Sequence, residues 1–504
     1  MIKTYDPQVK VVLLKGEARS SISYSDLNAP VGDDISDRYN AIGGQRIDLS
    51  PYLGDGGGVR TSKSVREPAG GFTVTLLDKM FTDYGAMESL YGLIEPMDMV
   101  EIRFCHDSKM MLTDNCLLEW DGIIPIIMRG FVTEIRRDEA IGQDGRPTRR
   151  IVISGHDSGK ILEIFMLYYL SNQALGQYYM SSIYNFLEKF GEGFGVIRDA
   201  KGFLEELTKV VINPFFNLIV GTVADKALRD GFVAECSASG SVAPQLLSNF
   251  NNVSLYQLMK SVLDVGVFNE LYIEDRPSSI ALVLRPCPYA DTADRPIQSA
   301  PAVEVTVNDY DIQSISVSRT DHGVSNWFWV QNNHWNMVGD VPNQIQAQTA
   351  NATSVMKWDY PNCAANKYGF RNLIENVSLG PPSGTDDKPT SSSEKTAQDN
   401  STTAKWLESR RIMLGNLNKD NVVFETGTMR VKGDENIKAG VFIKVVGNTR
   451  KSKPNRYYAV SVDHDFVPFQ GFFTTISFER GTGFINRAED SLSPYNSEWD
   501  RGGL

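Results

Sequence analysis

The chain has 504 residues, 41% hydrophobic and 22% charged, which predicts several globular domains with cores of their own. The net charge of −12 argues against a surface that grips nucleic acid, because neutralising phosphates requires clustered Lys and Arg. The five cysteines are scattered, odd in number and without a C-x-x-C pair, which argues against a disulfide framework and a zinc site.

Membrane insertion is not expected either. Residues 1–20 contain no apolar stretch of signal-peptide length. The longest apolar runs, 161–170 and 210–220, are interrupted by polar residues or proline and fall short of the roughly 20 residues that a membrane span needs. We expect a soluble protein.

Residues 1–160 carry the period-2 alternation typical of half-buried strands. The clearest examples are FTVTLLD (72–78), MVEIRFC (99–105), GFVTEIRRDE (130–139) and RRIVISG (149–155). Asp144-Gly145, between the last two, is a hairpin turn signal. We predict a first β domain here, with a long loop at 30–70, where Gly, Asp and Ser are frequent.

Residues 161–250 instead carry apolar and aromatic residues at helical spacing, for example Ile183, Phe186, Leu187 and Phe190. We predict a helical insertion whose apolar faces pack on the β domain or on a neighbouring subunit.

Residues 251–302 predict a small helix-plus-hairpin domain. The amphipathic helix SLYQLMKSVLDVG ends at Gly266, and the hairpin that follows turns at Arg276-Pro277-Ser278.

Residues 303–485 return to strand patterns and predict a second β domain, followed by a C-terminal tail at 486–504. The stretch 380–403 is too polar to bury itself and predicts a disordered loop, followed by the helix AKWLESRRIMLGN. The order strands, helices, strands predicts a mainly β protein with α insertions (α+β) and argues against a Rossmann fold.

The segment SGHDSGK (154–160) superficially resembles a phosphate-binding loop. Only three residues separate Gly155 from Gly159, and Ile161 stands where Ser or Thr would ligate magnesium. We therefore assign no nucleotide binding to it.

Asp463-His464-Asp465 could be metal ligands or an acid–base group. Strand alternation argues against this, because His464 shares the apolar face with Val462 and Phe466 while the two aspartates point the other way. We expect a packed, hydrogen-bonded core histidine.

Two further groups were weighed as chemistry. A cell-wall hydrolase needs two carboxylates about 5–10 Å apart beside a cleft, but adjacent acidic pairs such as Glu205/Glu206 and Asp33/Asp34 are usually solvated surface. An aromatic cluster could stack sugars or bases, although such residues more often fill a wall or an interface: Trp327, Phe328, Trp329 and Trp335. We predict no enzyme activity and no catalytic, cofactor-binding or metal site.

Several segments, in chain order, resemble the baseplate hub proteins of contractile-tail (myovirus) bacteriophages, which are related to late control protein D and to the N-terminal part of type VI secretion spike proteins. The segments are IEPMDMVEIRF, RGFVTEIRRDE, RRIVISGHDSGKIL, the helix-plus-hairpin element ending in RPCP, DIQSISVSRTDHGVSNWFWV, KAGVFIKV and the closing hairpin RYYAVSVDHDFVPFQGFFTTISFER. In the third, Gly155, Asp157, Lys160 and Leu162 match a Gly-x-Asp-x-x-Lys-x-Leu-type end of the family's first domain. The insertion 161–250 and the loop 380–403 depart from the family.

The resemblance implies two tail-tube-like β-barrel domains in one chain, at 1–160 and 303–485. Three chains would form a ring that adapts a hexameric tail tube to a trimeric spike and lines the central channel. It implies a homotrimer with the tail tube protein above, the spike protein below, and tape-measure and baseplate wedge proteins as further partners. No cofactor, membrane span or specific nucleic-acid binding is implied, although DNA passes through the channel.

The implied location is the baseplate of the virion, after assembly in the host cytoplasm. Two alternatives stay open: the hub of a bacteriocin-like or secretion-type contractile injection machine, and a tail-associated peptidoglycan hydrolase.

Overall fold

The computed structural model describes residues 5–15, 46–78, 90–107, 124–141, 147–167, 199–220, 231–242, 253–300, 302–332, 360–381, 393–447 and 454–490. Its strands are β1 (Gln8–Leu14), β2 (Arg46–Asp48), β3 (Gly58–Ser64), β4 (Gly71–Leu77), β5 (Met99–Cys105), β6 (Ile126–Ile141), β7 (Pro147–Asp157), β8 (Met166–Leu167), β9 (Phe232–Cys236), β10 (Val253–Ser254), β11 (Asn269–Asp275), β12 (Ile280–Pro286), β13 (Glu304–Asn308), β14 (Ile312–Ser318), β15 (Trp327–Asn332), β16 (Asn372–Val377), β17 (Glu425–Lys432), β18 (Phe442–Val446), β19 (Asn455–Val467) and β20 (Gly471–Gly481). Its α-helices are α1 (Leu90–Leu93), α2 (Lys160–Ile164), α3 (Ala200–Leu207), α4 (Asn213–Val220), α5 (Leu255–Val262), α6 (Ala365–Tyr368), α7 (Ser393–Asn418) and α8 (Gly483–Asp490). Within these ranges, no helix is both long and apolar enough to cross a bilayer.

Six strands of the N-terminal region form what we call the first unit. In space they run β1–β5–β6–β7–β4–β3, and every pairing is antiparallel. The alternation predicted for β4 is confirmed, since Phe72, Val74 and Leu76 are buried and Thr73 is exposed. These side chains belong to an apolar core that the unit's strands share.

Six strands of the C-terminal region form what we call the second unit. They run β13–β18–β19–β20–β17–β14 and share a separate core that includes Met429, Ile443 and Ile476. Only the 3-10 turn Asp309–Asp311 separates β13 from β14. The two end strands of this unit are therefore consecutive in the chain, although no ladder joins them.

The two units have the same connectivity. If the six strands of each unit are numbered 1 to 6 by their order in the chain, leaving out β2, their order in the sheet is 1–4–5–6–3–2 in both units. Only the first-to-fourth pairing differs, being antiparallel in the first unit and parallel in the second. Each fifth strand also has a β-bulge at the matching place, at Val132/Glu134 and at Ala459/Ser461. The chain thus contains one six-strand arrangement twice.

The expectation of two separate closed barrels is corrected by the sheet topology. The twelve strands of the two units, together with β2 at the edge of β1, form one 13-stranded sheet. The reason is the length of β19: its first residues pair with β18, and its later residues, on the same edge, pair with β3 of the first unit. The free edge of β3, an end strand of the first unit, is thus paired with the second unit.

The loop expected at 30–70 is also corrected, because β2 and β3 lie within it. β3 reads GVRTSKS, in which Val59 is the one large aliphatic residue, so no apolar alternation marks it. It forms because it has a strand partner on each side, β4 and β19.

The middle of the chain packs against the first unit. α3 and α4 are joined through the π-helical turn Thr208–Ile212, so the described part of 161–250 contains helix, together with the strands β8 and β9. Their buried side chains share a core with α5, the hairpin β11–β12 and residues of the first unit. The positions 183–190 used in the sequence argument lie outside the described residues.

The helix and the hairpin expected within 251–302 are both present, and β9 extends the hairpin to a three-stranded sheet. α5 begins with a capping box between Ser254 and Gln257, and the chain leaves it through Gly266 at φ +96°. β11 and β12 pair antiparallel around the turn 276–279.

The predicted disordered loop 380–403 differs from the structure at its C-terminal end, because α7 extends back to Ser393. The prolines and glycines of this stretch all precede Ser393, so the helix that follows can extend backward at low cost. Residues 382–392, and 491–504 of the predicted tail, lie outside the described part of the chain; α8 occupies the tail's start.

Candidate functional site at the joint between the two units

The two units meet along one antiparallel ladder between β3 and the second half of β19, which we call the joint. Six residue pairs form it, from Ser461↔Ser64 to Phe466↔Val59. An exposed ion pair between Arg60 and Asp463, 3.1 Å apart, lies on this ladder. Because the joint consists of backbone pairing within a continuous sheet, it holds the two units in a fixed register.

His464 lies buried in the joint. Its Nδ1 is 3.0 Å from Thr474 Oγ1, and its ring lies near those of Phe104 and Phe472. Burial lowers the pKa of His464 to about 4, so the imidazole is neutral at neutral pH. The prediction of a packed, hydrogen-bonded histidine is confirmed. Its neighbour Phe104, however, belongs to the first unit, so His464 packs between the units rather than inside the second.

A buried charge cluster ties the joint to the hairpin β11–β12. Lys63 Nζ lies 2.5 Å from Asp275 Oδ2 and 3.5 Å from Asp157 Oδ2. Burial opposes the ammonium, but the carboxylates of Asp275 and Asp157 outweigh it and raise the pKa of Lys63. The charged form of Lys63 is thus held in place between β3, β7 and β11.

Arg129 on β6 holds the turn of the same hairpin. It is fully buried, donates to Glu101 Oε2 over 2.8 Å, and donates to the carbonyl oxygens of Arg276 and Pro277. Burial opposes ionisation of Glu101, yet Arg129 and Arg103 together lower its pKa. In β5, Glu101 and Arg103 alternate with apolar residues, yet both are buried, because they belong to this network. The sequence carries one sign of this network: Arg129 is a charged residue inside the apolar run IIMRGFV (126–132).

Arg285 fixes the other end of the hairpin to the second unit. Its guanidinium lies 3.1 Å from Glu270 Oε2 and donates to the carbonyl oxygen of Gly440 over 2.7 Å. The hydroxyl of Tyr458, on β19, donates to Glu270 over 2.6 Å. Through Arg129 and Arg285 the hairpin braces both units, which the sequence alone did not indicate.

A cavity of about 440 Å³ lies beside the joint, bounded by the hairpin and both units. Lys63, Lys438 and His464 contribute to its wall. Two buried wall atoms, Thr61 Oγ1 and Asp275 Oδ1, have no hydrogen-bond partner among the described residues. A space of this size has room for several waters beside these two atoms.

A second contact between the units joins His106, after β5, to the loop before β18. Glu435 Oε2 accepts hydrogen bonds from the His106 backbone N–H (3.0 Å) and lies 2.7 Å from His106 Nδ1. With Asp434, these side chains place three possible metal ligands within 4.8 Å of one another. The hydrogen bonds already join His106 to Glu435, so the group serves as a link between the units.

Among the described residues, the other candidate groups from the sequence do not form sites. In the segment 154–160, Asp157 accepts a hydrogen bond from the backbone N–H of Gly159 (2.9 Å), whereas a phosphate-binding loop leaves such N–H groups free to bind the phosphate. Lys160 forms an ion pair with Glu163 (2.6 Å). Glu205 is exposed near Lys201 on α3. Asp33 and Asp34 lie outside the described residues.

Of the aromatic cluster, Trp327 and Trp329 stack on each other, whereas Phe328 is buried in a separate core against Tyr360. The Trp327 and Trp329 rings lie 5.8 Å apart and 15° from parallel. Phe370 lies against Trp327, and the guanidinium of Arg411 lies over the Trp329 ring. With ring faces occupied by these neighbours, the stack favours the structural interpretation over a platform for sugars or bases. Trp335 lies outside the described residues.

No protein-family model matches the sequence, and no curated protein matches it. Among solved structures, it is similar to a tail protein of Neisseria meningitidis MC58 (TM-score 0.42, 10% identity, covering 94% of this chain and 97% of that one). It is also similar to the 43 kDa tail protein of prophage MuSo2 from Shewanella oneidensis (TM-score 0.40, 11% identity, 87% and 96% covered). A third is an E. coli component of the type VI secretion system, described as similar to T4 tail proteins gp27 and gp5 (TM-score 0.32, 8% identity, 84% and 72% covered). Likenesses this low carry no argument about function.

Proposed function

We propose that the chain is a structural hub component of a contractile phage tail, in which three copies form a ring between the tail tube and the central spike. The observation that carries the proposal is the repeated six-strand unit: the same connectivity occurs twice in one chain. The ordered sequence segments that resemble hub proteins fall in both units and in the hairpin between them.

The repeat suits an adapter between two symmetries. Three copies with two similar units each present six similar positions on a ring, which match a sixfold tube, while the ring itself keeps the threefold symmetry of a spike. A chain with one unit could not provide both. The partners in this proposal are two further copies, the tube protein above and the spike protein below, with tape-measure and wedge proteins beside them.

The chemistry of the joint fits an assembly role rather than catalysis. Its buried charges hold the hairpin to both units through Arg129 and Arg285, and its histidine is neutral and packed. The net charge of −12 suits a channel through which DNA passes without adhering. We place the protein in the virion baseplate, without a cofactor.

The test is the oligomeric state of the full-length protein, by light scattering and negative-stain electron microscopy. We expect a particle of three times the 56.1 kDa chain mass with a ring-shaped projection. A compact monomer at every concentration tried would refute the proposal. Clearing of peptidoglycan in a zymogram, lost on Glu205→Gln/Glu206→Gln substitution, would favour the hydrolase alternative.

A further inference from the structure

The internal joint uses one particular pair of edges. It joins the second strand of the first unit, β3, to the fifth strand of the second unit, β19. Because the connectivity is repeated, each of these strands has a counterpart in the other unit: β14 corresponds to β3, and β6 corresponds to β19.

Both counterparts have an unpaired edge within the described part of the chain. β14 pairs with β17 on one side and ends the strand order on the other. β6 pairs with β5 only up to Phe131, so its second half has β7 on one side and no strand on the other. β19 has the same division, with β18 up to Tyr458 and β3 beyond it.

The edge of β14 lacks the usual protection against pairing. Monomeric proteins guard long edge strands with charges or proline, but the sequence IQSISVS contains neither. Its side chains are exposed on both faces, including Ile315 (43%) and Val317 (42%). Pairing with another strand would satisfy the free backbone N–H and C=O groups of this edge and cover its exposed apolar side chains.

We propose that β14 of one copy pairs antiparallel with the second half of β6 in the next copy, which repeats between chains the joint found inside each chain. This inference rests on the ring of the proposed function and names the surface that closes it. A second copy is the proposed partner because its β6 is the counterpart of β19, the strand that β3 pairs with inside this chain. The contact joins different surfaces of the two copies, β14 of one and β6 of the next, so every copy can have both edges paired only when the copies form a closed ring.

The bulges set the register of this pairing. In β19 the first residue paired with β3 is Ser461, three residues after Tyr458, and three residues after Phe131 is Glu134. The proposed segment of β6 is therefore Glu134–Glu139, which follows a bulge as Ser461 does. Following the ladders from β6 to β14 places Arg137 opposite Val317 of the next copy.

The experiment compares full-length wild type with Ile315→Lys/Val317→Lys at equal concentration by light scattering. We expect a trimer for wild type and a monomer for the double variant, because two lysines place charge along the edge that must pair. The control Ile412→Lys, at an equally exposed isoleucine on α7 (48%), should stay trimeric. A trimeric double variant would overturn the inference and leave the proposed function intact, whereas a monomeric wild type would overturn the proposed function.

A cross-link decides the matter if the lysine variant fails to fold. Arg137→Cys/Val317→Cys, treated with the oxidant copper phenanthroline, should give covalent dimers and trimers on a non-reducing gel. The matched pair Arg137→Cys/Ile412→Cys should remain at monomer mass. Equal cross-linking by both pairs, or by neither in a trimeric protein, would refute the proposed register.

Discussion

Replacing His464 should remove the loss of folding stability that this residue contributes on acidification from pH 7 to pH 5. Burial lowers the pKa of His464 to about 4 from its ordinary 6.5. As the pH falls below 6.5, the unfolded chain takes up a proton on this imidazole, whereas the folded chain does not until about pH 4. Stability is therefore lost on acidification through this window. The full effect is about 3 kcal/mol, of which about 2 kcal/mol falls between pH 7 and pH 5.

The assay is urea unfolding of wild type and His464→Gln at both pH values, at one protein concentration so that assembly contributes equally. Wild type should lose about 2 kcal/mol more than the variant on acidification, whatever the variant costs at pH 7. His322→Gln, at an exposed histidine, should behave as wild type. If His464→Gln loses as much stability as wild type on acidification, the histidine is not held neutral in the joint, and its packing against Phe104 and Phe472 is wrong.

Three further substitutions test the brace and the backbone of the sheet. Arg129→Met should lower the unfolding free energy by about 3–5 kcal/mol, because it leaves Glu101 Oε2 and two buried carbonyl oxygens without this donor. The control Arg295→Met, at an arginine whose side chain is 79% exposed, should change it by under about 1 kcal/mol; urea titration measures both. Gly427→Ala would place Cβ 1.9 Å from a carbonyl oxygen of β14, so limited proteolysis should cut β14 faster than in wild type. Gly440→Ala, at φ +87° and 2.7 Å from the Arg285 guanidinium, should lower the melting temperature through about 1–2 kcal/mol of backbone strain; an unchanged melting temperature would contradict that conformation.

Elements whose signals are local could be predicted from the sequence. The alternation in β4 followed from Phe72, Val74 and Leu76, and the capped helix α5 and its hairpin followed from turn and capping residues. The face on which His464 lies followed from its neighbours two residues away. Each of these depends on contacts within about ten residues, where side-chain periodicity reports burial directly.

The buried charges of the candidate site escaped the same reasoning. Charged side chains that alternate with apolar ones in a strand, as Glu101 and Arg103 do, are usually solvated. They are inside because Arg129 and the turn of the hairpin, residues distant in the chain, satisfy them. No local pattern can distinguish a solvated charge from one whose partner arrives from another element.

A mainly β chain with helical segments between two β regions, and the apolar faces of its alternating strands, can be predicted from the amino-acid pattern. The repeat of one connectivity in both regions, and the single sheet they share through β3 and β19, cannot. The physical reason is that β3 has almost no apolar side chains and is held by backbone hydrogen bonds on both edges. Backbone groups are the same in every residue, so the partner of a strand edge leaves no mark in the sequence.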